Sequence, residues 1–471
     1  MKSFVSALGM ATAAFAVATS AGAADLPSRK AAPVEYVRVC TAYGAGFFFI
    51  PGTDTCLRVS GRVRAEYTVG SRYGDTMDAY GTRARGRLNI DARTATAYGT
   101  LRTFIRYELT NSSGLYSGTI SGNQGIVAPG QARNGIDGAG TSSNVDLAFV
   151  QFGPITAGRA QSFFDFYADD VTFSTLRTAD SRINLLAYTA TFGSGFSATV
   201  SLEDRNTGTT PRENAVVSAV GAVPTAFGVG ALGQDYPDIV ASLRVDQGWG
   251  SAQLSGAIAQ RNIGGTGQFG NATKDEVGFA IQGGVKINLP MLAAGDKLWL
   301  QAAYADGALG YLGWPNNTGV TRQFGSGRIL SATNGLILGD YSVDALGNTH
   351  SSTGWSLVAV LQHFWTPTLR TEVFGSYSEL SLNYTAPAAY LPAGVVARPL
   401  DPKELIAGAN LIWSPVSGLD IGVEVVYTRT ELKQAVLAAD NTGARPSLAA
   451  GGRAVSSDDA WTGRLRIQRD F

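Results

Sequence analysis

The chain has 471 residues, 45% hydrophobic and 16% charged, with 37 basic and 37 acidic side chains. A balance this neutral, about −1 once Lys2 leaves with a secretory leader, excludes a bulk electrostatic preference for nucleic acid. Two cysteines and two distant histidines, His350 and His363, exclude the usual tetrahedral Cys/His zinc centre.

Lys2 is followed by an apolar run of mostly small residues from Phe4 to Ala18, then by Ala21-Gly22-Ala23, a small-x-small cleavage site. The pattern predicts a secretory signal peptide over 1–23. Its apolar run, about 15 residues, falls short of the roughly 20 that a membrane helix needs. No later stretch reaches a spanning length without a charged or strongly polar residue, so no transmembrane helix is expected in a mature chain starting at Ala24 or Asp25. Residues 24–55 read as an N-terminal segment, periplasmic or lumenal. Export places Cys40 and Cys56 in an oxidising compartment, where they are expected to form one disulfide. Closing that loop stabilises by roughly 3 kcal/mol through loop-closure entropy.

From residue 56 to 471 the sequence alternates with period two, which sends successive side chains to opposite faces of a strand. Strands are predicted near 56–69, 79–91, 96–110, 144–152, 154–161, 184–192, 196–204, 237–246, 250–261, 275–288, 296–306, 354–364, 367–380, 403–413, 418–431 and 458–471. The clearest is 196–204, where Phe196, Ala198, Val200 and Leu202 alternate with Ser197, Thr199, Ser201 and Glu203. Near 144–152 and 354–364 both faces carry apolar residues, and those strands are placed by spacing. Connections after even-numbered strands are short, as at Ala92–Ala95, Gly193–Gly195 and Trp365–Thr366. Those after odd strands are mostly long, as at 111–143, 162–183 and 307–353.

This long–short rhythm predicts an all-β fold, a 16-stranded antiparallel transmembrane β-barrel over 56–471, wide enough for a water-filled channel. A soluble sandwich of so many strands would divide into two domains joined by Greek-key crossovers, and no linker divides this chain. Mean hydropathy near zero fits, because a barrel hides its membrane band in alternate residues. Tyr67, Trp249, Phe364, Trp413, Tyr427 and Trp461 fall near strand ends, where interfacial girdles belong.

Charge then assigns the faces. Arg62, Arg64 and Glu66 share one face of the first strand, Arg83, Arg85, Arg87 and Asn89 one face of the second, and Arg102, Arg106 and Glu108 one face of the third. An arginine facing lipid at mid-depth costs roughly 2–4 kcal/mol. These seven arginines are therefore expected to line the interior, against water or facing carboxylates. The connection 162–183 holds Asp165, Asp169, Asp170 and Asp180 among Phe163, Phe164, Phe166, Tyr167 and Phe173. So many aromatics need a surface to pack on, which predicts an inward-folded loop. Acids on such a loop opposite a basic wall form a pore constriction with a transverse field, and rings of charge of this kind set selectivity.

The stretch from Ala24, with Glu35 to Cys40 reading EYVRVC and Ala42 to Cys56 reading AYGAGFFFIPGTDTC, resembles the start of mature alphaproteobacterial porins of the Brucella and rhizobial type. The ending LRIQRDF is similar to that family too. The resemblance implies a homotrimeric, 16-stranded porin of the Gram-negative outer membrane whose third loop, here 162–183, folds into the channel. It implies lipid and lipopolysaccharide as neighbours. Phe471, the final residue, resembles the assembly signal read by the barrel assembly machinery, although Arg469 stands where many such signals carry an aromatic.

The expected function is passive diffusion of small hydrophilic solutes and ions, with no cofactor. Arginine's bidentate fit to phosphate and carboxylate makes a channel specific for anionic substrates the alternative. A barrel enzyme is a remote one, since the sequence carries no Gly-x-Ser-x-Gly, His-Glu-x-x-His or phosphate-loop motif. A plugged structural barrel would predict no conductance.

Overall fold

Alternation of polar and apolar residues gives each strand one face for lipid and one for the interior, and the chain closes on itself to remove the free edges that such strands would expose. In the computed structural model, which describes residues 38–70, 79–114, 116, 140–207, 215–218, 229–265, 273–314, 338–344, 346–386, 391–438 and 447–471, sixteen long strands form this wall. They are β1 (Cys56–Gly70), β2 (Tyr80–Thr96), β3 (Gly99–Gly114), β4 (Gly140–Phe152), β5 (Ile155–Gln161), β6 (Arg182–Gly193), β7 (Phe196–Asp204) and β8 (Asp238–Gln247). The second half comprises β9 (Gly250–Gly265), β10 (Thr273–Asn288), β11 (Lys297–Asp306), β12 (Thr353–Thr366), β13 (Leu369–Ser381), β14 (Lys403–Val416), β15 (Leu419–Leu437) and β16 (Ala454–Asp470). Each pairs antiparallel with the next, and β16 pairs with β1 from Arg62 opposite Asp470 to Gly70 opposite Thr462. The predicted signal peptide, 1–23, lies outside the described residues.

The outer face is a continuous apolar band. Val63, Ile105, Leu186, Val200, Leu243, Leu254, Ile281, Leu357, Val423 and Leu465 are all exposed on it. Tyr67, Trp249, Trp413 and Trp461 are exposed as well, and Tyr427 packs on Trp461 with ring centroids 4.9 Å apart. Phe364 does not join this girdle. It shares the parity of the buried Val358, Val360 and Gln362, so it points inward, and its ring lies beside Gly295.

Two expectations near turns and one on alternation need correction. The first short turn is not Ala92–Ala95 but falls between Thr96 and Gly99, which pair directly. Inward-facing Asp91 holds Arg93 and Arg102 (2.8 and 3.0 Å), which keeps the ladder in register past residue 92. The β15–β16 hairpin runs longer than expected, still pairing at Leu437 opposite Ala454. The broken alternation near 144–152 has a local cause. Arg106 pairs with Leu147 and Tyr107 with Val145, so Asp146 is an extra residue, a β-bulge that reverses the parity of everything after it. Phe149 thereby turns inward and stacks on Phe104 at 5.4 Å.

At the short-turn end, Phe48–Phe49 pair with the start of β1, and Cys40 is bonded to Cys56 as expected. The disulfide and Phe47 form a small buried core flanked by Tyr43 and Phe49. At the long-loop end, Ala215–Ser218, Gly339–Val343 and Thr349–Ser351 make a separate three-stranded sheet.

Candidate channel lumen

The basic wall is built by register. Across the β1–β2 ladder Arg62 faces Arg87, Arg64 faces Arg85, and Glu66 faces Arg83. Like charges directly opposite repel, so the neighbouring carboxylates matter. Arg62 Nε donates to Asp470 (2.6 Å), and Arg87 Nε donates to Glu108 (2.7 Å). Arg83 Nε donates to Glu66 (2.5 Å), which also takes Arg466 Nε (2.8 Å). Arg102 is held by Asp91 and by Gln151 (3.0 Å), while Arg106 reaches Asn89 (2.9 Å) and the bulged Asp146 (3.4 Å). The carboxylates that temper this wall therefore belong largely to the wall itself.

The loop at 162–181 leaves β5 and crosses the interior. Asp165 organises its base, accepting from the Ser181 amide (2.7 Å) and from Gln161 Nε2 (2.5 Å). The Phe164 carbonyl then accepts from Ser255 (2.7 Å) on β9 and Gln282 (2.9 Å) on β10. Tyr167 N donates to Gln301 on β11 (2.9 Å), and Gln301 returns a bond to Thr178 (2.6 Å). Tyr167 and Leu176 pack on an inward-facing apolar surface of Trp299, Val358, Val360, Phe374, Ile406 and Val426. Gly284 and Gly422 leave room for Phe166 and Phe173, whose rings a Cβ would meet at 2.2 and 2.7 Å. At the loop's tip, Phe173 N donates to Glu424 (2.7 Å), its carbonyl accepts from Arg464 and Arg466, and the Arg466 guanidinium lies 3.9 Å from its ring centroid.

A second connection also turns inward. After β11, Leu309, Tyr311, Leu312 and Trp314 are fully buried against Phe164, Leu380, Leu382 and Tyr384. Arg177 ties both loops to the wall, with Nε and Nη2 on Glu404 (2.5 and 3.0 Å), Nη1 on the Gly313 carbonyl (2.8 Å), and its guanidinium 3.8 Å from the Trp314 ring centroid.

Between the basic wall and the crossing loop lies a cavity of about 820 Å³. Arg62, Arg64, Arg83, Arg85 and Arg87 line one side, and Asp169, Asp170 and Asp180 line the loop side. Of the residues singled out from sequence, Asp165, Arg102 and Arg106 do not line this cavity. Arg182, Arg370, Arg464 and Arg466 do, with Glu372, Asp420 and Asp470. The signal for Arg464 and Arg466 was present in their parity opposite Leu465 and Ile467. Asp180 accepts from Arg182 (2.7 Å), and Asp169 takes a left-handed conformation (φ 54°) while accepting from Leu176 N (3.0 Å). Burial, reinforced by Asp180, pushes the Asp170 carboxyl above the usual carboxylate range.

A family model described as the porin subfamily matches residues 25–463. The chain belongs to this porin family. The porin is 32% identical over 312 residues to porin Omp2b of Brucella suis, an alignment covering 63% of this chain and 72% of that one. It is 30% identical over 308 residues to porin Omp2b of Brucella abortus strain 2308, covering the same shares. Its barrel is similar to that of the outer membrane channel DcaP of Acinetobacter baumannii, with a TM-score of 0.58 at 15% identity, covering 90% of this chain and 99% of that one. The porin is thus an outer-membrane channel of sixteen strands, and its family places it among channels rather than enzymes.

Proposed function

We propose that this porin passes small hydrophilic solutes and ions by passive diffusion, with its narrowest section between the β1–β2 arginines and Asp169, Asp170 and Asp180 of the crossing loop. The observation that carries the reading is the cavity of about 820 Å³ with basic residues on one wall and acidic residues on the other. Polar solutes align in such a field, whereas bulky or apolar ones gain nothing from entering it. No cofactor or energy coupling is needed, and no enzymatic activity is invoked. The working unit is a homotrimer: Val63, Ala65 and Tyr67 on the outer face of β1 are exposed, and a face that mixes alanine with tyrosine suits barrel-to-barrel packing. The rest of the band meets lipid and lipopolysaccharide. Phe471, whose backbone exchanges hydrogen bonds with Gly61 (2.8 and 3.0 Å), serves the barrel assembly machinery as its recognition end. Of the 24–55 segment, the described residues 38–55 lie at the short-turn end, which we assign to the periplasmic side.

The test is single-channel recording in a planar bilayer under a salt gradient. Open steps in groups of three, with current linear in salt, are expected. Replacing Asp169 and Asp170 by Asn is expected to move the reversal potential toward anions, and Arg85→Ser to move it toward cations. Reversal potentials indifferent to both changes would remove these residues from the narrow section.

A further inference from the structure

One row of the basic wall is neutralised differently from its neighbours. In the Arg62–Arg87 row, each guanidinium touches a carboxylate within 2.7 Å, and in the Glu66–Arg83 row the acid is itself a member. The row between them, Arg64 opposite Arg85, has neutral partners at hydrogen-bond distance. Arg64 donates through Nε and Nη2 to the single amide oxygen of Gln468 (2.9 and 2.7 Å), and Arg85 donates through Nε to the Thr110 hydroxyl (3.0 Å). The ion pair of Arg85 is a long one, Nη1 lying 3.5 Å from Glu108 Oε2, while Arg87 holds Oε1 of the same carboxylate at 2.6 Å. Glu66 and Asp470, the acids next nearest this row along β1 and β16, are likewise engaged by Arg83, Arg466 and Arg62. Two cations thus stand side by side across a ladder, a destabilising arrangement in itself. Both are oriented by Nε bonds, and both line the cavity.

We propose that Arg64 and Arg85 form a binding subsite for a small oxyanion of the phosphate class, free or as the terminal group of a phosphorylated solute. Arg64 Nη1 and Arg85 Nη2 keep donors available beyond the Gln468 and Thr110 bonds and the long Arg85 Nη1–Glu108 pair. A tetrahedral dianion accepts from two guanidiniums at once and cancels the charge of both, which chloride, lacking separate acceptor atoms, does with less geometric advantage. The subsite rests on the reading of the cavity as the solute path, and makes that path retentive for one anion class.

The experiment is a titration of the purified, detergent-folded full chain with inorganic phosphate at constant ionic strength, read by ³¹P line broadening, alongside single-channel recording in chloride with phosphate added. Saturable broadening and brief phosphate-induced current interruptions are expected. Apparent affinity is expected to fall at least tenfold in Arg64→Gln and in Arg85→Gln. Gln468→Glu keeps both arginines but sets a carboxylate against Arg64, and is expected to weaken phosphate equally. Arg429→Gln, remote on β15 and paired with Glu431, is the control. Absence of saturable binding, or variants that bind phosphate as the control does, overturns the subsite. Channel steps without phosphate binding sink the subsite and leave the diffusion pore standing. Phosphate binding without channel steps supports the subsite and sinks the pore reading.

Discussion

Replacing Arg177 by Met removes the cation that joins both inward connections to β14. Its partner Glu404 has a side chain only 1% exposed, as does Arg177 itself, and the pair is bidentate at 2.5 and 3.0 Å. After the change Glu404 keeps, among the described residues, only a long side-chain contact from Thr430 (3.4 Å). A buried carboxylate stripped of its partner costs about 3–5 kcal/mol. At roughly 1.4 kcal/mol per factor of ten, that shifts the docked-to-loosened ratio of the 176–179 stretch by about two to three and a half decades. The Asp165, Gln253 and Gln282 bonds still hold the loop's base, so loosening rather than full release is expected. Arg177→Met is therefore expected to give noisier, larger open-channel currents in planar bilayers and a lower unfolding temperature by circular dichroism. Arg177→Met with Glu404→Leu removes the stranded charge and is expected to recover much of the stability. A single variant as quiet and stable as the parent, or a double variant no better than the single, would refute the assignment of this pair as the anchor.

Three further outcomes are expected. Burial and Asp180 raise the Asp170 carboxyl, so Asp170 takes up its proton at a higher pH than an ordinary aspartate does. The reversal potential is then expected to move toward anions at a pH above the ~4 of an ordinary aspartate, and Asp170→Asn to remove that step from a reversal-potential titration. Replacing Cys40 and Cys56 by Ser is expected to lower stability by roughly 3 kcal/mol in chemical unfolding while leaving conductance intact; an unchanged profile would refute a stabilising role for the bond. A Cβ at Gly61 would sit 2.5 Å from the Phe471 ring and 2.6 Å from the Arg87 carbonyl, so Gly61→Ala is expected to lower the refolding yield of the barrel. An undiminished yield would show that the seam tolerates the crowding.

Much of the architecture was legible because period-two alternation is a property of neighbouring residues. Arg62, Arg64, Arg83, Arg85 and Arg87 could be turned inward from the cost of placing them in lipid, and the crossing loop was marked by its aromatics. Reading failed where an interaction was distant or parity changed. Asp146 bulges and flips the face of Phe149, which no local pattern announces. Both faces of 354–364 carry apolar residues because Val358 and Val360, with Trp299 on a neighbouring strand, receive Tyr167 and Leu176 of the crossing loop. The buried run of Leu309, Tyr311, Leu312 and Trp314 carried no recognisable motif.

The sequence by itself determined that the chain makes sixteen alternating strands with long and short connections in turn, and which face of most of them avoids lipid. Local sterics and the price of burying charge in hydrocarbon act residue by residue, so they are readable from order alone. Only the tertiary structure decided which carboxylate meets which arginine, which three of four loop aspartates line the cavity, and that the Arg64–Arg85 row makes its close hydrogen bonds to neutral partners. Those outcomes depend on the register of β1 against β2 and β16, and on where a loop lands after crossing the lumen. They join residues as much as 408 positions apart, as in the Arg62–Asp470 pair, and closure of the barrel is what brings them together.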